Sequence, residues 1–151
     1  METIDPAKAA RVWQRVQGAL PAEQKEQGLC EMIARAWTDS AVFLHLARRF
    51  SGKESALLRK LSEQEQASAA CLKGIYTLIT GQRPAVRAVQ PQPEESERAL
   101  RRCYGSKMQS LTWYESRTGD PEYGPIYARL AQQEWEHCRI VLELLGGLKK
   151  K

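Results

Sequence analysis

The sequence has no apolar run near the ~20 residues that a bilayer-spanning helix needs, so no membrane helix is expected. Strand-like alternation of useful length is absent. There is no glycine-rich phosphate loop and no Gly-x-Ser-x-Gly, which removes the usual signals for nucleotide binding and serine hydrolysis. Only 2 histidines and 4 cysteines occur. Cys30, Cys71, Cys103 and Cys138 form no C-x-x-C pair, which argues against a zinc ribbon or a rubredoxin-type iron site. They read as reduced, small core residues, with a disulfide between two helices as the lesser alternative. No cysteine has an activating histidine. Cys138 follows His137, but adjacent helical residues diverge in direction.

What is present suits a single helical domain. The chain has 151 residues, 42% apolar and 27% charged, enough for one core and too few for two. The net charge is +5. Its surplus lies in short clusters at Arg48–Arg49, Arg101–Arg102 and Lys149 to Lys151. These alternate with Glu and carry no aromatic-basic ladder, so a solvated helical surface is expected rather than a nucleic-acid interface. The opening METIDPAKAARVW has Asp and Pro where a secretory signal needs an unbroken apolar stretch, so a cytoplasmic protein is expected.

Residues 1–21 read as a short leading helix and linker, with Trp13, Val16 and Leu20 on one face and Pro21 restarting the chain. Residues 22–148 read as one bundle domain, and 149–151 as a basic tail. Four longer helices are predicted at 22–50, 53–80, 94–117 and 122–145. Their stripes are Leu29, Ile33, Ala36, Ser40, Phe43, Ala47; then Leu58, Leu61, Glu65, Ser68, Leu72, Ile75, Ile79; then Leu100, Tyr104, Met108, Leu111; then Ile126, Leu130, Glu134, His137, Val141, Leu144. Ser51-Gly52, Gly81, Thr118 to Pro121, and Gly146-Gly147 are the predicted stops. The segment from Arg83 to Pro93 holds Pro84, Pro91 and Pro93 and reads as a long crossover. Two short connections and one long one are the pattern of an all-α, ferritin-like antiparallel four-helix bundle.

The second half repeats the first. A shift of 69 residues sets Leu61 on Leu130, Gln64 on Gln133, Glu65 on Glu134 and Leu72 on Val141. Two similar hairpins about a pseudo-two-fold axis would bring Glu65 and Glu134 face to face. A buried carboxylate costs several kcal/mol unless it is paired or binds a metal. Two facing ones repel, and a divalent iron or manganese ion relieves both problems.

The segments LSEQEQASAACLKGIYTLITG and PEYGPIYARLAQQEWEHCRIVLELLGG resemble the second and fourth helices of rubrerythrin-like proteins in the ferritin-like superfamily. The resemblance spans roughly Leu29 to Gly147. It implies two bound iron or manganese ions, oxidoreductase activity of the rubrerythrin peroxidase or ferroxidase type with an oxidant such as peroxide, and a homodimer. It also implies six ligands. Glu134-Trp135-Glu136-His137 keeps a complete Glu-x-x-His. Glu65 is kept, but Ser68 stands where His is expected, and Ala36 and Gly105 replace two carboxylates, with Ser106 and Lys107 beside the latter. The metal candidates are therefore Glu65, Glu134 and His137. Glu31, Asp39 and Glu115 are the carboxylates available to complete the site by a shift.

Several readings stay open. Glu65, Glu134 and His137 could form a polar cluster bonded to Ser68, Tyr104 or water, with Lys107 pairing one carboxylate. They could hold one metal, or two with a shifted ligand. Catalysis could also be lost, leaving a helical scaffold or dimeric binding module whose face carries Trp13, Trp37 or Trp113. Ala36 and Gly105 could leave a small-molecule cavity. His45, two residues from Phe43, is expected at the surface or an interface. Tyr104 and Tyr114 are expected to be structural.

Overall fold

The computed structural model describes residues 26–87 and 90–149. The expected leading helix with Trp13, and the last two lysines of the tail, lie outside them. The described residues form four helices and no strand: α1 (Leu29–Ala47), α2 (Gly52–Thr80), α3 (Ser96–Glu115) and α4 (Gly124–Lys149).

Local chemistry sets most of the boundaries. Gly28 precedes α1 with φ 85, a left-handed conformation that costs a side-chain-bearing residue 1–2 kcal/mol or so. A Cβ there would also stand 2.7 Å from Trp113 Nε1. Gly81 ends α2 at φ 72, its amide bonding back to Thr77 O, the expected glycine stop. Asp120 Oδ1 accepts from the amides of Glu122 and Tyr123, both at 2.8 Å, ahead of α4. The predicted stop at Gly146-Gly147 is corrected: α4 runs through both to Lys149. Leu148 packs on the core beyond them, and that packing outweighs the ~1 kcal/mol that each helical glycine costs.

α1 packs along α2, and α3 along α4. Ser40 and Ser62 lock the first pair: Ser40 Oγ donates to Ser62 O at 2.9 Å, and Ser62 Oγ to Ser40 O at 2.8 Å. α1 and α3 are antiparallel neighbours. Arg49, past the end of α1, donates to Glu94 O ahead of α3. Arg117, past the end of α3, donates to Gln27 O at 3.0 Å ahead of α1. The proline-rich connection crosses from one end to the other. Val86 packs on the core near the end of α2, and Pro91 to Glu94 lie beside Thr38 and Val42 of α1.

The core has two apolar halves. One gathers Leu29, Ile33, Leu72, Tyr114 and Tyr127. The other gathers Phe43, Leu46, Leu58, Leu100 and Val141. Between them each helix contributes polar side chains from its middle: Asp39 from α1, Glu65 from α2, Lys107 from α3, and Glu134 and His137 from α4, all buried.

The repeat needs one correction. α2 matches α4 as the sequence predicts, Glu65 on Glu134. α3 matches α1 two residues further along. Leu29, Met32, Ala36, Ser40 and Phe43 are all buried, and so are Leu100, Cys103, Lys107, Leu111 and Tyr114. Lys107, not Gly105, is the counterpart of Ala36. Gly105 is exposed, with nothing within 4 Å of a Cβ placed on it, and the cavity between Glu65 and Glu134 that Ala36 and Gly105 could have left is instead occupied by Lys107. Tyr104 is half-buried and Met108 is exposed, so both leave the stripe assigned to them.

Candidate functional site

The ammonium of Lys107 sits at the centre of the polar layer, 1% exposed. Its Nζ lies 2.5 Å from Glu65 Oε1, 2.8 Å from Glu134 Oε2 and 3.0 Å from Asp39 Oδ2. One cation therefore faces three carboxyl groups from the other three helices. Ser106 Oγ donates to Asp39 Oδ2 at 2.7 Å, fixing that carboxylate from the same helix as the lysine.

His137 closes the layer. Its Nδ1 donates to Glu65 Oε1 at 3.0 Å and lies 3.8 Å from Glu134 Oε1. Its Nε2 meets Gln64 Oε1 at 2.7 Å. Across the pseudo-two-fold, Gln133 Nε2 donates to Ser68 Oγ at 2.6 Å. Each glutamine thus reaches the residue that follows the other half's glutamate by one turn. That residue is His137 in one half and Ser68 in the other, so the site is unequal although its frame is symmetric.

The two glutamates titrate differently. Burial raises the Glu65 carboxyl, but the Lys107 charge and the hydrogen bond from His137 outweigh it and lower it to about 2. Glu134 is held well above the usual carboxylate range, by burial first and then by the Glu65 charge, against the pull of Lys107. Carboxyls this strongly coupled titrate as a pair, and Glu134 is the member held high. Neither Glu134 oxygen accepts a hydrogen bond; Lys107 approaches Oε2 as a charge and not as an aligned donor. Lys107 stays charged. Burial alone would lower it, but Glu65, Asp39 and Glu134 together raise it well above its ordinary value.

The expected metal candidates do come together. Ligand atoms of Glu65, Glu134 and His137 lie within 4.8 Å of one another. Of the spare carboxylates, Asp39 reaches the same ammonium, 3.0 Å from Lys107 Nζ, but lies outside that group of three. Glu31 stays at the surface beside Arg35, 3.6 Å away, and Glu115 is exposed. Tyr104 and Ser68 do not bond the glutamates. The donor set does not fit two iron or manganese ions, because Ala36 offers no ligand and Lys107 puts a positive charge where a divalent cation would have to bind.

The sequence offered Lys107 as a partner for one carboxylate, not as the centre of three. Its register with Leu100, Cys103, Leu111 and Tyr114 was the available signal, and a glycine at the expected ligand position drew attention away from it. Gln64 had one signal, its match to Gln133 in the repeat, and the two glutamines do play matching parts.

Other reactive groups are quiet. Burial pushes the Cys103 thiol up to about 12 and Cys138 up to about 11, which keeps both protonated and poor nucleophiles. All four cysteines are free. Burial and the charge of Glu134 also raise Tyr114. His45 is half-buried and accepts from Arg49 Nη2 at 3.0 Å, away from the layer. Trp113 packs edge-on against Tyr114 and Tyr127, and Trp37 lies under Lys73 Nζ at 3.7 Å, so neither forms a free apolar face. No protein-family model, curated protein or solved structure matches the chain.

Proposed function

We propose that the chain is a ferritin-like bundle of rubrerythrin-like design that acts as a helical binding module and pairs with a second copy of itself. The observation that carries this reading is an exposed apolar row along the outer side of α3 and α4. Met108 is 39% exposed, Trp135 55% and Leu142 51%. Grooves run beneath them, one lined by Leu111, Ala128, Ala131 and Trp135, the other by Tyr104, Leu142 and Leu145. Exposed large apolar side chains beside apolar grooves mark an interaction surface, and a tryptophan is a common anchor. Arg101 and Lys149 border the face at one end and Glu115 at the other. A two-fold contact between antiparallel copies sets the basic end against the acidic one.

Sedimentation equilibrium tests this. The expected mass rises toward two chains with concentration for the wild type, and stays at one chain for Trp135→Glu with unchanged helical content. A wild type that remains one chain at high concentration sinks the dimer.

One observation favours a second reading. The close approach of Glu65, Glu134 and His137 supports residual binding of one iron or manganese ion, and with it the oxidoreductase chemistry that the rubrerythrin resemblance implies. Metal analysis of protein purified in air decides this: about one iron or manganese per chain would put this reading first.

A further inference from the structure

The polar layer holds three carboxyl groups, one imidazole and a single central cation supplied by the chain. We propose that Lys107 is a tethered cation standing in for a divalent metal, and that Asp39, Glu65, Glu134 and His137 form a site for one such ion once that ammonium is removed. This rests on the reading that the wild-type core works without metal.

Three observations carry it. First, Nζ already occupies the common point of the carboxyls, 2.5 to 3.0 Å from an oxygen of each. To reach the ~2.0–2.2 Å of a metal bond, Glu65 closes by less than about half an ångström, and Glu134 and Asp39 by about 0.6 to 1 Å from 2.8 and 3.0 Å. Second, Glu134 is fully buried, with Lys107 Nζ 2.8 Å from Oε2 and no other hydrogen-bonding partner at either oxygen. Removing the ammonium leaves that carboxyl facing nothing polar that compensates it, which favours entry of another cation. Third, the imidazole is already aimed. Gln64 holds Nε2 while Nδ1 turns toward the glutamates, the outer-sphere support that orients a ligating histidine. Three carboxylates and one imidazole suit a hard-to-borderline divalent ion such as Mn²⁺, Fe²⁺ or Co²⁺. While Lys107 is present, that ion would meet a fixed positive charge within bonding distance, so the wild type excludes it.

The test titrates metal-free full-length chains with Co²⁺ alone, following visible absorption and melting temperature. The expected result is no binding by the wild type and about one Co²⁺ per chain for Lys107→Ala, with a rise in its melting temperature. Adding Glu134→Gln to that variant should weaken binding roughly 10- to 100-fold, as loss of a donor does. Should Lys107→Ala fail to fold without metal, recovery of its helical circular dichroism on adding Co²⁺ supports the proposal, and no recovery overturns it. Binding by the wild type overturns the proposal together with the metal-free reading. A metal-free wild type alongside a folded Lys107→Ala that ignores Co²⁺ overturns the proposal alone.

Discussion

Glu65 and Glu134 occupy equivalent positions in the two halves of the fold, yet the Glu65 carboxyl is held below its ordinary value and that of Glu134 above it. The frame around them is repeated, but Lys107 and His137 both favour charge on Glu65. The asymmetry comes from residues supplied by one half alone.

Loss of the central charge should be the most damaging single change in the core. Lys107→Met keeps the length of the side chain and removes the ammonium, leaving Glu65 and Asp39 facing each other without compensation. Breaking a buried ion pair on one side costs about 3–5 kcal/mol. Urea unfolding in metal-free buffer should show a loss of that size, and a change below about 1 kcal/mol would show the lysine to be a bystander.

The glutamates should respond to pH with opposite signs. Glu65 has a folded value lowered to about 2 from 4.5. Its contribution, about 3 kcal/mol by linkage, is fully present above pH 4.5 and is lost as pH falls toward 2. Glu134 has a raised folded value, so its contribution is present below 4.5 and is lost as pH rises. Glu134→Gln should therefore gain stability relative to the wild type between pH 4.5 and 7. Denaturation midpoints of both proteins across that range check the sign. A gap that narrows with rising pH would reverse the order of the two carboxyls.

Gly28 should tolerate no side chain. Its backbone is left-handed, and a Cβ would collide with the Trp113 indole. Gly28→Ala should cost about 2 kcal/mol or more, from the backbone strain and the displaced ring together. Melting temperature gives the cost, and a shift in tryptophan emission reports the movement of Trp113. A melting curve that overlays the wild type would contradict the contact.

Much of the fold was legible because its signals are periodic and local. The stripes of α1 and α2 are buried as their spacing requires, apart from the half-buried Ile79. Gly81 and the prolines of the crossover punctuate the chain where they stand. The register of α3 was harder. Tyr104 and Met108 are apolar at helical spacing, so the repeat carried straight through them seemed self-consistent, while the true core row runs through a lysine. Sequence patterns treat a charged residue as a surface marker, and only packing reveals that three carboxyls wait for it. Glu65, Glu134 and His137 could be singled out from the sequence, and Lys107 as a partner for one carboxylate, but not as the centre shared by three.

The position of Lys107 has a consequence for how the chain matures in a cell. A bundle whose central charge comes from an ion must wait for delivery of that ion, competes for it with other proteins, and loosens when a chelator or a shortage removes it. Here the compensating charge is translated with the backbone and arrives at fixed stoichiometry. The charge that faces Glu65 and Asp39 then depends on the sequence of α3 alone.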